Sequence, residues 1–531
     1  MGVVAALFGW RIYQFWEYTV DDAYITLRYA RNVVEGYGLV YNPGGPRVEG
    51  YSNPLLLLFQ CVVLFLNGEG MLWTKILGAL AGFATLAACL LIALDLLRWA
   101  GEEATRVSLI VSVAGVFYVA DNAPLSTGSV SGLETSLFAA LLTWGTWGFL
   151  RVLQGEGRRA GVAVAGLCLG LATWTRPEGI AWAGGVAGLV VLMRALRRES
   201  VRAALVAAGL AIGLWLALEG FRLAVFGDFQ PNTYYAKMGG EAGPRFSSGM
   251  RYVLAWAVLE LGWIMLLLAA VGLFLQPMGR RGPTLVALLA VVGFLGMVAY
   301  EGGDWIPHGR LVAPVFGVMG GLSSAGLGLL VRRLALRRSR ELSVAATLVF
   351  CVGMYQGTRA DFVRGFREVQ TRVTGWSDAH RPLGEWLGKW REKRGGRLGV
   401  ALSDIGMVGW FSGAQVADLA GLTDRQWARL TYQSGGTARY PAKRLLAEQQ
   451  PEAIVLVSTE RPFGDLLDIT WRPDCDILAD PEFARRYRHR TVFTHKDFAS
   501  DGYYLHVFLR RDIYDEAPAV TPPVPRTHDG M

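Results

Sequence analysis

Two adjacent carboxylates, Asp21 and Asp22, open the first polar segment of the chain, VDDAYITLRYARNVVEGYGLVYNPGGPRVEGYSNP. Like-charged neighbours raise each other's pKa, and a raised carboxyl suits the removal of a proton from a hydroxyl group. Arg28 and Arg31 follow at spacings that permit a shared helical face. Four further polar blocks recur along the chain: SGLET (131–135), TRPEG (175–179), GDFQPNTYYAK (227–237) and EGGDWIPHGRLVAP (301–314). They carry Glu134, Arg176, Glu178, Asn232, Lys237, Asp304, His308 and Arg310. Arg310, His308, Lys237 and Arg176 are candidate phosphate partners. Asp304 and Glu134 are candidates for contact with hydroxyl groups.

Each residue also has an ordinary structural reading. Asp commonly opens a helix, and Glu in a first turn is favoured by the helix dipole. Arg176 and Glu178 could pair across Pro177. Arg28 and Arg31 could snorkel at an interface. Tyr234 and Tyr235 could belong to an aromatic belt, and Asn53 before Pro54 suits a turn or cap. No GxxxxGK[ST] loop is present. The five cysteines form no CxxC or His/Cys cluster, so neither a zinc site nor a disulfide framework is expected. Asp304 and His308 match no strong metal-ligand spacing, and no metal is expected.

The elements that must position these residues are membrane helices. The 531 residues are 52% hydrophobic and only 18% charged, below the charge of an ordinary soluble chain. Apolar blocks predict helices near 1–18, 71–97, 106–120, 133–150, 160–174, 179–195, 203–225, 251–276, 284–300, 311–331 and 342–357. The segment 54–66 is too short to span and reads as interfacial. No small-residue cleavage site follows the first block, which is read as a retained helix rather than a signal peptide. With these eleven spans and a cytoplasmic N-terminus, alternate loops near 98–106, 151–159, 194–202, 280–281 and 332–341 hold a net charge of +11. The whole chain carries +8, so the remainder is about −3. This is the positive-inside pattern, and it removes any need for a nucleic-acid partner. All five polar blocks then fall on the outer side. Ionisable groups at such helix ends are costly unless paired or wet, and their convergence marks a site at the membrane–water boundary.

Three regions are expected: a membrane domain over 1–357, with the first external loop at 19–70; an extracytoplasmic α/β domain over 358–516; and a disordered tail over 517–531. Strand-like runs at Arg397–Leu402, Ala453–Val457 and Gly502–Leu509 alternate with helix-like Arg381–Lys393 and Pro441–Glu448. Asp404 and Asp418 in this domain read as strand-end and turn residues. A lipid-linked phosphosugar fits the site: cations for its phosphate, a carboxylate for the acceptor hydroxyl, and a helix groove for its prenyl tail. A transporter or flippase for lipid-linked glycans is the rival of another class, and would show inverted repeats and breaks inside helices.

The DDAYITLRYARNVVEGYGLVYNPGGPRVEGYSNP run closely resembles the first external loop of the GT-C polyprenyl-phosphate-sugar glycosyltransferases. It looks most like the branch containing the mycobacterial terminal β-(1→2)-arabinofuranosyltransferase. SGLETSLF, TRPEG, GDFQPNTYYAK, GGDWIPHGRLVAP and SDIGMVGWFSGAQVADLAGLTD (403–424) match in the same order. The resemblance implies the GT-C fold and a bacterial cytoplasmic membrane protein. It implies sugar transfer, of arabinofuranose above all, from polyprenyl phosphate to an extracytoplasmic glycan or glycoconjugate. Mannose or another hexose moved to a pilin or a lipid is the alternative. It implies that Asp21 or Asp22 is the general base, with Asp21 preferred. It assigns His308, Arg310, Lys237, Arg28 and Arg176 to the donor phosphate, and Glu49, Glu134, Asn232 and Asp304 to sugar or acceptor. No cofactor beyond the lipid donor is implied.

Overall fold

The computed structural model describes residues 1–101, 106–156, 159–239, 242–304, 306, 308–334, 340–458, 472–495 and 503–520. The membrane domain is helical. It opens with α1 (Gly2–Gln14), α2 (Ala23–Val34), α3 (Pro54–Phe65) and α4 (Gly70–Trp99). It continues through α5 (Arg106–Asp121), α6 (Ala123–Val130), α7 (Thr135–Leu153), α8 (Arg159–Thr175), α9 (Gly179–Leu196) and α10 (Arg202–Phe226). The later helices are α11 (Asn232–Lys237), α12 (Ala242–Leu259), α13 (Gly262–Leu275), α14 (Gly282–Glu301), α15 (Phe316–Arg333) and α16 (Arg340–Gly375).

Among the described residues six helical segments are long and apolar enough to cross a membrane: α4, α7, α9, α10, α14, and α15 together with the turn before it. The pair α12 and α13 makes a seventh if counted as one, although it bends by 81°. Leu261 sits at that bend in a left-handed conformation with φ 55°. The protein is thus a multi-pass membrane protein. The other expected spans are helical too, but shorter or more polar. The segment expected at 342–357 is the first part of a 36-residue helix, α16, which continues without a break to Gly375. At 1.5 Å per residue α16 is about 54 Å long.

Beyond α16 lies an α/β unit with helices α17 (Arg381–Lys393), α18 (Ile405–Ser412), α19 (Arg425–Gln433), α20 (Arg472–Leu478) and α21 (Pro481–Arg486). Its strands are β1 (Gly399–Leu402), β2 (Gln415–Asp418), β3 (Ala453–Ser458), β4 (Tyr487–His495) and β5 (Tyr503–Arg510), in the order β2-β1-β3-β5-β4. β2, β1 and β3 run parallel, β5 pairs antiparallel to β3, and β4 pairs antiparallel to β5 and so runs with the parallel set. The expected helix at Arg381–Lys393 and the three expected strands are found to within two residues. β2 and β4 were not anticipated. The expected helix at Pro441–Glu448 is found over residues 442–449, with π-helical geometry over Arg444–Gln449.

Alternation along β3 divides two cores. Val455 joins Val400, Val507 and helices α17 and α18 on one face. Ile454 and Leu456 join Trp427, Leu445 and Phe483 on the other. The first of these cores also contains Ile25, Tyr29 and Ala30 of α2, Tyr51, and Leu57 of α3. The first external loop and the sheet unit therefore share one apolar interior, so burial of α2 fixes the unit above the site.

Candidate active site

Asp21 and Asp22 have different fates. Asp22 stands at the N-cap position of α2, half-buried, and its carboxylate makes no hydrogen bond or ion pair among the described residues. Enclosure by the protein raises its carboxyl above the ordinary carboxylate range, and the charges of Lys237 and Arg310 pull the other way. Asp304 and Asp404 push it up again. Asp22 is therefore an unspent acceptor in sight of two cations.

Those cations come from separate elements. Lys237 ends α11, is exposed, and forms no ion pair among the described residues. Arg310 lies on the loop between α14 and α15, where Gly302 and Gly303 adopt φ of 99° and 81°. Such values suit glycine, and they turn the chain back over the helix ends. Arg310 donates its Nε–H to Asp304 Oδ2 at 2.6 Å, which leaves its terminal nitrogens unbonded among the described residues. Asp304 is itself enclosed, yet Arg310 and Lys237 hold its carboxyl below the usual range. The Leu311 N–H donates to Tyr252 Oη at 3.1 Å and pins this loop to α12.

One edge of the mouth is a carboxylate–guanidinium chain. Arg176 donates to Glu134 Oε1 at 2.8 Å and to Glu178 Oε1 at 2.6 Å. The second oxygen of Glu134 accepts Asn53 Nδ2 at 2.8 Å, and Asn53 Oδ1 accepts the Thr26 hydroxyl at 3.0 Å. Glu134 thus ties α7 to α2, α3 and the α8–α9 turn. Arg176 is matched by two carboxylates, whereas Arg310 is matched by one.

Other expected residues build seams. Arg222 donates its Nε–H to both oxygens of Glu49, at 3.2 and 3.1 Å, and bonds Glu219 at 3.0 Å. The Glu49 carbonyl accepts the Asn232 N–H at 2.9 Å. Asn232 Nδ2 donates to the Gly421 and Leu422 carbonyls, both at 2.9 Å. Asp418 orders that same turn by accepting the N–H groups of Ala420, Gly421 and Thr423. Glu49 and Asn232 therefore join the first loop, α10 and the sheet unit.

Asp21 and Arg28 hold the two ends of α18. The Asp21 oxygens accept the Gly406 N–H at 2.9 Å and the Met407 N–H at 2.6 Å, at the helix start. Arg28 donates to the Gly409 carbonyl at 2.5 Å, the Ala414 carbonyl at 2.6 Å and the Tyr41 carbonyl at 2.8 Å. The anion meets the positive end of the helix dipole and the cation its negative end. Burial pushes the Asp21 carboxyl up to about 7, against the pull of His380 and the Met407 N–H, while Asp404 and Asp22 add to the rise. Asp404 in turn accepts bonds from His380 Nε2 at 2.9 Å and from the Tyr503 hydroxyl.

His308, expected beside Arg310, is turned elsewhere. It has φ 63°, so the chain reverses between the two residues. Its ring packs 5.8 Å from Phe15, and a methyl group on Gly365 of α16 would fall 1.9 Å from its Cε1. Burial lowers its pKa and favours the neutral ring. The structure thus gathers Asp22, Lys237, Asp304 and Arg310, with Glu134 and Arg176 at the edge. It gives Asp21, Arg28, His308, Glu49 and Asn232 different partners. Tyr252, which shapes the site, carries no signal in the sequence pattern, and Gly406 lies in the 403–424 block without a role assigned to it. Among the described residues no group of three or more His, Cys, Asp or Glu is placed to hold a metal ion.

With the geometry described, likenesses to other proteins can be placed on it. Residues 365–508 match the family described as "Domain of unknown function (DUF8728)". Over 345 residues the chain is 30% identical to the terminal beta-(1->2)-arabinofuranosyltransferase of Mycobacterium tuberculosis, covering 59% of this chain and 53% of that protein. Over 420 residues it is 28% identical to the Corynebacterium glutamicum protein of the same name, covering 70% of this chain and 58% of that one. The chain thus spans little more than half the length of these relatives. ArnT from Cupriavidus metallidurans in the apo state superposes with a TM-score of 0.56 at 14% identity over 98% of both chains. The ArnT structure bound to undecaprenyl phosphate gives 0.54 at 13% identity, again over 98% of both.

Proposed function

We propose, from the GT-C fold shared with ArnT, that this chain is a glycosyltransferase of the bacterial cytoplasmic membrane, with its N-terminus inside and its mouth and sheet unit outside. It moves a sugar, arabinofuranose, from a polyprenyl-phosphate donor to an extracytoplasmic glycan or glycoconjugate. The sequence relatives named arabinofuranosyltransferase support the sugar, and undecaprenyl phosphate in the ArnT structure supports the donor class.

The observation that carries the reading is the unpartnered Asp22 carboxylate facing Arg310 and Lys237. Asp22 takes the proton of the acceptor hydroxyl. The acceptor oxygen forms its bond to the anomeric carbon as the bond from that carbon to the phosphate oxygen breaks. The phosphate leaves with the bonding electrons, and Arg310 and Lys237 balance its charge. Asp304 orients Arg310, and the Glu134–Arg176 pair sets the mouth's edge. Asp21, which sequence reasoning preferred as the base, is assigned instead to holding α18, because both its oxygens already accept N–H bonds.

The test uses the purified full chain in lipid with a decaprenyl-phosphate arabinofuranose donor and a hexose counterpart. Removing a general base costs about 10²–10⁴ in rate, so Asp22→Asn should lose transfer by that factor while its melting temperature holds. Asp21→Asn should keep a transfer rate well above that of Asp22→Asn and melt lower. Wild-type transfer by Asp22→Asn overturns the base assignment, and transfer only from the hexose donor overturns the sugar.

A further inference from the structure

A second cleft, of about 250 Å³, opens away from the mouth between the C-terminal end of α2, α17 and the end of α18. Its walls bring together the guanidinium groups of Arg28, Arg31 and Arg391 and the rings of Tyr37, Trp410 and Phe411. Arg28 is spent on the Tyr41, Gly409 and Ala414 carbonyls and the Asn42 amide oxygen. Arg31 and Arg391 are not. Arg31 lies 4.3 Å over the Trp410 ring and donates one bond, to the Trp410 carbonyl at 3.2 Å. Arg391 donates its Nε–H to the Gly396 carbonyl at 3.1 Å. Neither forms an ion pair among the described residues. The two acids at the cleft, Glu35 and Glu392, are exposed and bond neither arginine.

Three like charges gathered in one cleft repel one another, and the acids Glu35 and Glu392 stand there without bonding Arg31 or Arg391. Burial and the adjacent Arg28 and Arg391 charges oppose the charge on Arg31, and Glu35 offsets part of that opposition. A bound anion relieves that repulsion, and two guanidinium groups with unspent terminal nitrogens suit a phosphate or carboxylate. Trp410 and Phe411 are half-exposed and Tyr37 is 54% exposed, so flat apolar faces flank the cations. Arg31 lies nine residues along α2 from Asp22, about 14 Å at the helical rise. That separation is too great for one sugar unit to touch both.

We propose that this cleft is an anionic-glycan subsite, which takes a phosphate- or carboxylate-bearing sugar unit remote from the one undergoing transfer. It depends neither on which sugar the mouth transfers nor on Asp22. The test titrates the purified full chain in detergent with glucose 6-phosphate, glucuronate, inorganic phosphate and glucose, reading thermophoresis. At least one of the two anionic sugars should bind, more tightly than inorganic phosphate, and glucose should not bind detectably. Arg31→Gln and Arg391→Gln, checked for unchanged melting, should each weaken that binding about tenfold, the loss expected for a charge-assisted bond. Asp22→Asn should leave it unchanged. Unaltered binding in both arginine variants, loss of binding in Asp22→Asn, equal binding of glucose, or equal binding of inorganic phosphate would each overturn the proposal. If phosphatidylglycerol micelles bind, with loss in Arg31→Gln and Arg391→Gln, and both anionic sugars fail, the cleft is a lipid-headgroup contact and the glycan assignment falls.

Discussion

At the scale of single residues, adjacency in sequence conceals a division of labour. Asp21 and Asp22 are the same residue type at adjacent positions, yet the carboxylate of one is committed to backbone N–H groups and that of the other is open. The Asp304–Arg310 pair shows how such openness is maintained. Asp304 takes one nitrogen of the guanidinium and leaves the others without a hydrogen bond among the described residues. Arg310→Lys keeps the charge but loses the planar fork. It should raise the donor KM about tenfold, with melting unchanged, in a transfer assay at varied donor concentration. Gly365→Ala should act on the same loop from behind, because its methyl would displace the His308 ring. Lower transfer together with a lower melting temperature is expected there. The sequence displays all these residue types and their loops, but not which way each side chain turns. The carboxylates of Asp21 and Asp22 leave the chain on different sides of one helix start. The left-handed φ at His308 reverses a side chain in a way that no spacing rule encodes.

At the scale of elements, α18 lies in the 403–424 block that the sequence marks, but nothing in that block predicts a helix. It is only eight residues long, too short to stand alone. Its stability is borrowed from Asp21, Arg28 and the Tyr41 hydroxyl, which donates to the Ile405 carbonyl at 2.5 Å. A Cβ on Gly406 would lie 2.0 Å from the Asp21 carbonyl oxygen. Gly406→Ala should therefore force α18 out of its slot, at about 1–3 kcal/mol as for other overpacked sites. Limited proteolysis of the 405–412 segment, together with thermal melting, reads this directly; wild-type resistance would refute it. β1, β3 and β5 were legible because their apolar runs are dense. β2 has four residues, one of them an exposed Gln415, and β4 carries Arg488, His489 and Arg490 among its apolar residues, so neither offers a clean period. The bend between α12 and α13 was likewise hidden inside one apolar block.

For the molecule as a whole, the joint core between α2 and the sheet unit makes docking and catalysis one structural problem. It also makes stability depend on pH. The Asp21 carboxyl sits at about 7 when folded, against a usual value near 4. Between those values the folded protein keeps a proton that the unfolded chain has released. The stabilisation from Asp21 is therefore full below about pH 4 and is lost as pH rises through about 7. Asp474, pushed up to about 7 by burial, acts in the same direction. Melting temperature should fall between about pH 5 and about pH 8, and Asp21→Asn should flatten that fall. An equal slope in the variant would remove Asp21 from the account. Orientation has its own check. Cys475 is exposed, and a membrane-impermeant maleimide should label it in intact cells if the sheet unit faces outward.

The bond from Asp21 to Gly406 spans 385 positions of chain. At about 5–20 residues per second, the ribosome makes the second partner some 20–80 seconds after the first. For all that time α18 is absent, and the helix start that bears Asp21 and Asp22 lacks the partner that holds it. The order of synthesis therefore acts as a timer: for the proposed transfer, the site around Asp22 is completed only after position 406 has been made.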